Sequence, residues 1–198
     1  MKTKIIMLLA VLAVVTAPFV RAETPPDSPA ITVRLTRSDA TENTMLIWLT
    51  PDGYSYVIDS AAPLEGGEPA CQLAPENPNE LICDAPMVAG FEVHAGPRED
   101  KVVVTRAVQV PVTIRGGRGS DLLFGGGGSD LLVGGPGEDR LGGRAGDDLI
   151  FGGPGSDLLL GGPGDDVLRG GPGRDESRDG PGMDVIYAEH DAVPMRCY

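Results

Sequence analysis

The sequence is short of the residues on which most catalytic and zinc chemistry depends. Its 198 residues include two histidines, His94 and His190, three cysteines, Cys71, Cys83 and Cys197, and one tryptophan, Trp48. Zinc prefers tetrahedral sets of Cys and His at close spacing, and no such spacing occurs. Neither H-E-x-x-H nor G-x-S-x-G is present. His94 lies in the strand-like stretch FEVHA and reads as structural; His190, in AEHDA, reads as part of a solvated tail. No enzyme is expected. Bases are also scarce: 16 Lys and Arg stand against 29 Asp and Glu, a net charge of −13. A field of that sign repels nucleic acid. Helical periodicity is nowhere sustained over three turns, which argues against a helical bundle. After Ala22 no apolar or amphipathic segment is long enough for membrane insertion, which argues against a pore-forming toxin.

One apolar run stands at the start. MKTKIIMLLAVLAVVTAPFVRAE has a basic opening, an apolar stretch from Ile5 to Val15, and small side chains at Val20 and Ala22. This pattern predicts a signal peptide over residues 1–22, cleaved after Ala22, and hence a secreted, extracellular protein. Cleavage would remove Lys2, Lys4 and Arg21, taking the charge from −13 to −16. Export makes disulfides permissible. Cys71 and Cys83 flank the proline-bearing loop QLAPENPNELI and are expected to pair, leaving Cys197 odd.

Residues 23–30 read as a disordered leader. From residue 31 to about 115 short β-type runs follow one another, among them ITVRLT, TMLIWLT and GYSYVID, the last two around the turn signal Pro51-Asp52-Gly53. Trp48 lies inside such a run and is expected in the core.

Residues 116–187 differ. A third of them are glycine, yet the period is nine rather than the three of collagen. Aspartates fall at 121, 130, 139, 148, 157, 166, 175 and 184 without a miss. A glycine stands two places before each, and seven of the eight residues two places after are Leu or Ile. The block is GGxGxDxUx, with U aliphatic. Glycines permit a tight turn with positive φ, and the last three residues suit a very short strand whose middle side chain points inward. One such unit cannot bury that side chain, whereas stacked units can, so the repeat predicts a solenoid. Two units complete a coil, and the aspartates divide into two columns. Asp121, Asp139, Asp157 and Asp175 line one edge; Asp130, Asp148, Asp166 and Asp184 line the other. Carboxylates stacked at a strand spacing of about 4.8 Å repel unless a cation intervenes. Calcium, which takes six to eight oxygens in loose geometry, suits carboxylates mixed with backbone carbonyls.

Residues 116–187 resemble the RTX, or haemolysin-type calcium-binding, β-roll of bacterial exported proteins. The resemblance implies that the eight aspartates supply carboxylate oxygens to calcium and the turn backbone supplies the rest. Pairing each repeat with the next but one gives at most about six ions. Repeat four departs from the pattern at Arg144 and Ala145, repeat seven at Glu176 and Ser177, and repeat eight at Asp179. The fold expected is all-β: a parallel β-roll over 116–187, a β-rich region over 31–115, and a tail over 188–198. Residues 80–115 read equally as calcium-free coils feeding the roll or as a separate sandwich. The function expected is that of a secreted calcium-binding protein that folds on binding. A calcium-rigidified adhesion module at a cell surface or in a matrix is the alternative, with a partner that the sequence does not identify.

Overall fold

Alternation of apolar and polar residues sets the first strands. The computed structural model describes residues 31–36, 44–51, 53, 55–60, 71–74 and 77–187. The segments expected as signal peptide, leader and tail, with Cys197 and His190, lie outside the described residues. Strand β1 (Ile31–Thr36) is followed by β2 (Thr44–Leu49), which buries Met45 and Ile47 and turns Thr44 and Leu46 outward. Trp48 shares the outer face and is only half-buried, so the core positions of this strand are Met45 and Ile47 rather than the tryptophan. Gly53, at φ +75°, donates its N–H to Thr50 at 2.8 Å and closes the hairpin to β3 (Ser55–Ser60). β4 (Cys71–Ala74) and β5 (Asn77–Asp84) complete an antiparallel set in the order β2-β3-β5-β4. A disulfide joins Cys71 to Cys83, which face each other across β4 and β5.

After a 3-10 turn at Ala85–Met87 the pairing becomes parallel. β6 (Val88–Pro97) pairs with β1, and β7 (Lys101–Val104) with β2. The antiparallel strands are therefore an excursion from a solenoid that begins upstream of them. β8 (Val112–Arg118) continues the β6 side and β9 (Leu122–Phe124) the β7 side. The separate sandwich over residues 80–115 does not form, because β6, β7 and β8 are coils of the same stack.

Three residues cannot hold a strand alone, so each repeat finds its partner two repeats away. β10 (Leu131–Val133), β12 (Leu149–Phe151), β14 (Val167–Arg169) and β16 (Val185–Tyr187) extend one sheet from β8. β11 (Arg140–Gly142), β13 (Leu158–Leu160) and β15 (Glu176–Arg178) extend the other from β9. Among the described residues, sheets of seven and nine strands result. Between them lie the aliphatic side chains of place eight: Leu123, Leu141 and Leu159 from one sheet, Leu132, Ile150 and Leu168 from the other, all 0–1 % exposed. Val102 and Met45 prolong the first row, Ile114 and Val93 the second. Each buried side chain contributes roughly 1.5–3 kcal/mol. Ser177 ends the first row and is half-buried.

Candidate metal sites

The stacking places each aspartate of the sixth position directly against the backbone of the preceding coil. The Asp121 N–H donates to Oδ1 of Asp139 at 2.8 Å, Asp139 to Asp157 at 2.8 Å, and Asp157 to Asp175 at 2.9 Å. On the opposite edge Asp130 donates to Asp148, Asp148 to Asp166 and Asp166 to Asp184, each at 2.8 Å. The two columns expected from the sequence are thus two hydrogen-bonded ladders. Asp121, Asp130, Asp139, Asp148, Asp157 and Asp166 are 0–3 % exposed. Asp175 and Asp184, in the last two repeats, are half-buried.

The second oxygen of these carboxylates has a different fate. Oδ2 of Asp121, Asp139, Asp148, Asp157 and Asp166 is buried with no hydrogen-bond partner among the described residues. A buried anionic oxygen without a donor costs several kcal/mol. The glycine at place one makes room for it: a methyl group built on Gly116 would collide with Oδ2 of Asp121 and press on the carbonyl of Gly134. The same collision with the turn's own aspartate would arise at Gly134, Gly143, Gly152 and Gly161.

Burial, in each case the largest cause, raises these carboxyls far above their usual range. Asp148 is pushed up to about 8, with Asp130, Asp166 and Asp147 adding repulsion. Asp121 reaches about 7, with repulsion from Asp139, Asp100 and Glu99. Asp157 and Asp130 rise to about 6. Asp139 and Asp166 also rise, while N–H donors from the neighbouring coil pull each of the six downward. A dication among these oxygens would remove both the missing donors and the repulsion. The donor set is all oxygen, which suits calcium. Among the described residues no three His, Cys, Asp or Glu side chains converge on one point. Any ion held here must therefore draw much of its coordination from turn carbonyls.

Two features lie outside the nine-residue pattern as the sequence displays it. Residues 95–103, AGPREDKVV, follow the block with Gly96 second, Pro97 third, Asp100 sixth and Val102 eighth. Gly96 and Arg98 take positive φ, +115° and +125°, and the Asp100 N–H donates to Oδ1 of Asp121 at 2.8 Å. The turn is out of phase with the aspartate series, because Asp100 precedes Asp121 by 21 residues rather than 18. Its first place is Ala95, buried, where seven of the eight repeats of the roll have glycine. The second feature is an outer ladder at place five. Ser129 Oγ accepts from the Asp147 N–H, Asp147 Oδ1 from the Asp165 N–H, and Asp165 Oδ1 from the Met183 N–H. The variable fifth residue (Ser, Glu or Asp in six of the eight repeats) is the signal for it in the sequence.

His94 sits on the outer face of β6 with Nε2 3.1 Å from Oε1 of Glu92. That is a partly exposed pair on the strand just before the turn that opens at Ala95. A family model of the RTX calcium-binding nonapeptide repeat, four copies long, matches residues 113–141 and 142–176. No curated protein and no solved structure matches the chain. The two matched segments cover β8 to β14 with the buried aspartates between them, and the chain accordingly carries RTX calcium-binding nonapeptide repeats folded as a parallel β-roll.

Proposed function

We propose that the protein is an exported, non-catalytic calcium-binding protein whose roll folds as it takes up calcium between stacked turns. The observation that carries this reading is the row of buried Oδ2 atoms without donors on five aspartates of the roll. Calcium would be held by Asp121, Asp130, Asp139, Asp148, Asp157, Asp166, Asp175 and Asp184 together with turn carbonyls. It would supply the charge neutralisation that the polypeptide does not. The roll needs that supply: its 72 residues carry 11 Asp and 2 Glu against 6 Arg. Ordering its glycines costs more backbone entropy than ordering other residues. One buried aliphatic per repeat falls well short of that cost, so ion binding contributes folding free energy directly.

Export is supported by the N-terminal pattern, and no helix among the described residues is long and apolar enough to cross a membrane. The Cys71–Cys83 bond belongs to the same reading, since an oxidising compartment keeps it closed. The test is a calcium titration of the protein followed by circular dichroism and calorimetry. Four to six ions, with β signal rising in step, is the expected result. One ion or none refutes the reading. Mass spectrometry of an unreduced digest should find the two cysteine peptides linked; two free thiols would remove the disulfide from it.

A further inference from the structure

Repeat four breaks the consensus, and the structure ties its irregularity to a single side chain. Arg144 stands where a glycine is expected and keeps the glycine conformation, φ +86°. Two residues earlier, Gly142 is the only glycine at the ninth place of any repeat. It pairs with Phe124, and a methyl group there would strike the Phe124 ring. The Arg144 guanidinium occupies the space over that ring, 5.2 Å from its centroid. It donates through Nη1 to the carbonyl of Val104, at the end of β7 and two coils above its own. The side chain thus crosses the edge of the stack from turn 143–148, past turn 125–130, to the coil above.

Turn 125–130 is built differently from the others. Gly126 alone among the second-place residues lacks positive φ. Its N–H turns inward to Oδ2 of Asp130 at 2.6 Å, while the Val112 N–H holds Oδ1 at 2.8 Å. Asp130 is therefore the one buried place-six aspartate of the roll with donors on both oxygens. The positive charge of Arg144 also acts on this carboxyl, though burial is the larger influence. Above the turn, the Gly127 N–H donates to Val108 at 2.7 Å, so residues 105–110 close this edge.

We propose that Arg144 is the fixed cation of the gap between turns 125–130 and 143–148, so that no calcium ion enters there. The inference rests on the calcium reading above. Asp130 then leaves the ligand set of the calcium reading: its edge begins the calcium column at Asp148 and holds two ions, against three on the edge of Asp121, about five in all. The upper part of the Asp130 edge is held without metal.

Native mass spectrometry of the full chain at saturating calcium tests this. Arg144→Gly, which suits the positive φ, is expected to take up one ion more than the wild type. Arg144→Gln removes the charge while keeping the length, and is expected to do the same; it decides the matter if the glycine variant does not fold. Arg140→Gln removes an exposed charge elsewhere and should leave the number unchanged. Six ions in the wild type, or no gain in the Arg144 variants, overturns the inference while the calcium reading stands. A wild type that binds no calcium overturns both.

Discussion

Acid should do part of the work of calcium. The folded pKa of Asp148 is about 8 and that of Asp121 about 7, against 3.8 for the free side chain. Between those values the folded roll binds protons that the unfolded chain does not, so its metal-free stability rises as pH falls through them. This is opposite to the salt-bridged aspartate, whose folded pKa is depressed and whose contribution is lost on acidification. Each tenfold change in proton affinity between the folded and unfolded chain is worth about 1.4 kcal/mol. The ionised form of Asp121 thus costs the folded state about 4 kcal/mol at high pH, and that of Asp148 about 6 kcal/mol. Either is comparable with the whole stability of a small domain. Far-ultraviolet circular dichroism in metal-stripped buffer should show the roll losing β signal at about pH 8 and regaining it at about pH 5. Added calcium should restore the signal at the higher pH. Asp148→Asn, a neutral isostere, should shift the metal-free transition to higher pH. An identical, full β signal in metal-free buffer at both pH values would refute the reasoning, because the buried carboxylates would then impose no cost.

Asp157→Ala should lower calcium affinity by about tenfold or more, equivalent to about 1.4 kcal/mol, and Asp184→Ala by much less. Asp157 is 2 % exposed with a coil on either side, whereas Asp184 lies half-buried in the last turn; equal losses by calorimetry would argue against ions shared between stacked turns. Leu159→Ala empties a fully buried position and should cost the calcium-loaded form about 2–5 kcal/mol, while Ser177→Leu should raise the thermal midpoint by extending the aliphatic row onto the last strand of its sheet. Gly135→Ala should destabilise by more than about 1 kcal/mol: φ is +113° and the new methyl would meet the Gly117 carbonyl, so an unchanged denaturation midpoint would contradict the described turn.

The downstream half is legible in the sequence because one chemical demand recurs in phase. An inward aliphatic at place eight and an aspartate at place six can each be satisfied only by stacking, and Leu123 to Leu168 all lie where the pattern puts them. Arg144 reads in the sequence as a source of irregularity, yet its backbone follows the glycine path; the contacts to Val104 and Phe124 that compensate it come from distant sequence. Upstream, local pattern announces strands without their partners. The β2–β3 hairpin follows from Pro51-Asp52-Gly53, but the parallel pairing of β2 with β7 spans an antiparallel insertion that no short-range signal marks. Trp48 falls outside the core it is expected in because a strand alternation fixes two faces without saying which one is inside. Three extra residues in its coil put the turn at Asp100 out of phase with the aspartate series.

A coil of two repeats also sets which changes in length the protein tolerates over its history. Deleting or duplicating 18 residues within the roll removes or adds one complete storey and leaves every other strand in its own sheet. A change of nine does not, because parity decides the edge. Downstream strands would trade sheets, Asp157 would fall under Asp130 rather than Asp139, and the fifth-place ladder of Ser129, Asp147 and Asp165 would lose its register. Single repeats can be gained or lost without this exchange only at the free end, where β15 and β16 have no coil beneath them among the described residues. The same end carries the least regular repeats, Glu176–Ser177 and Asp179 among them, as a terminus open to such changes would.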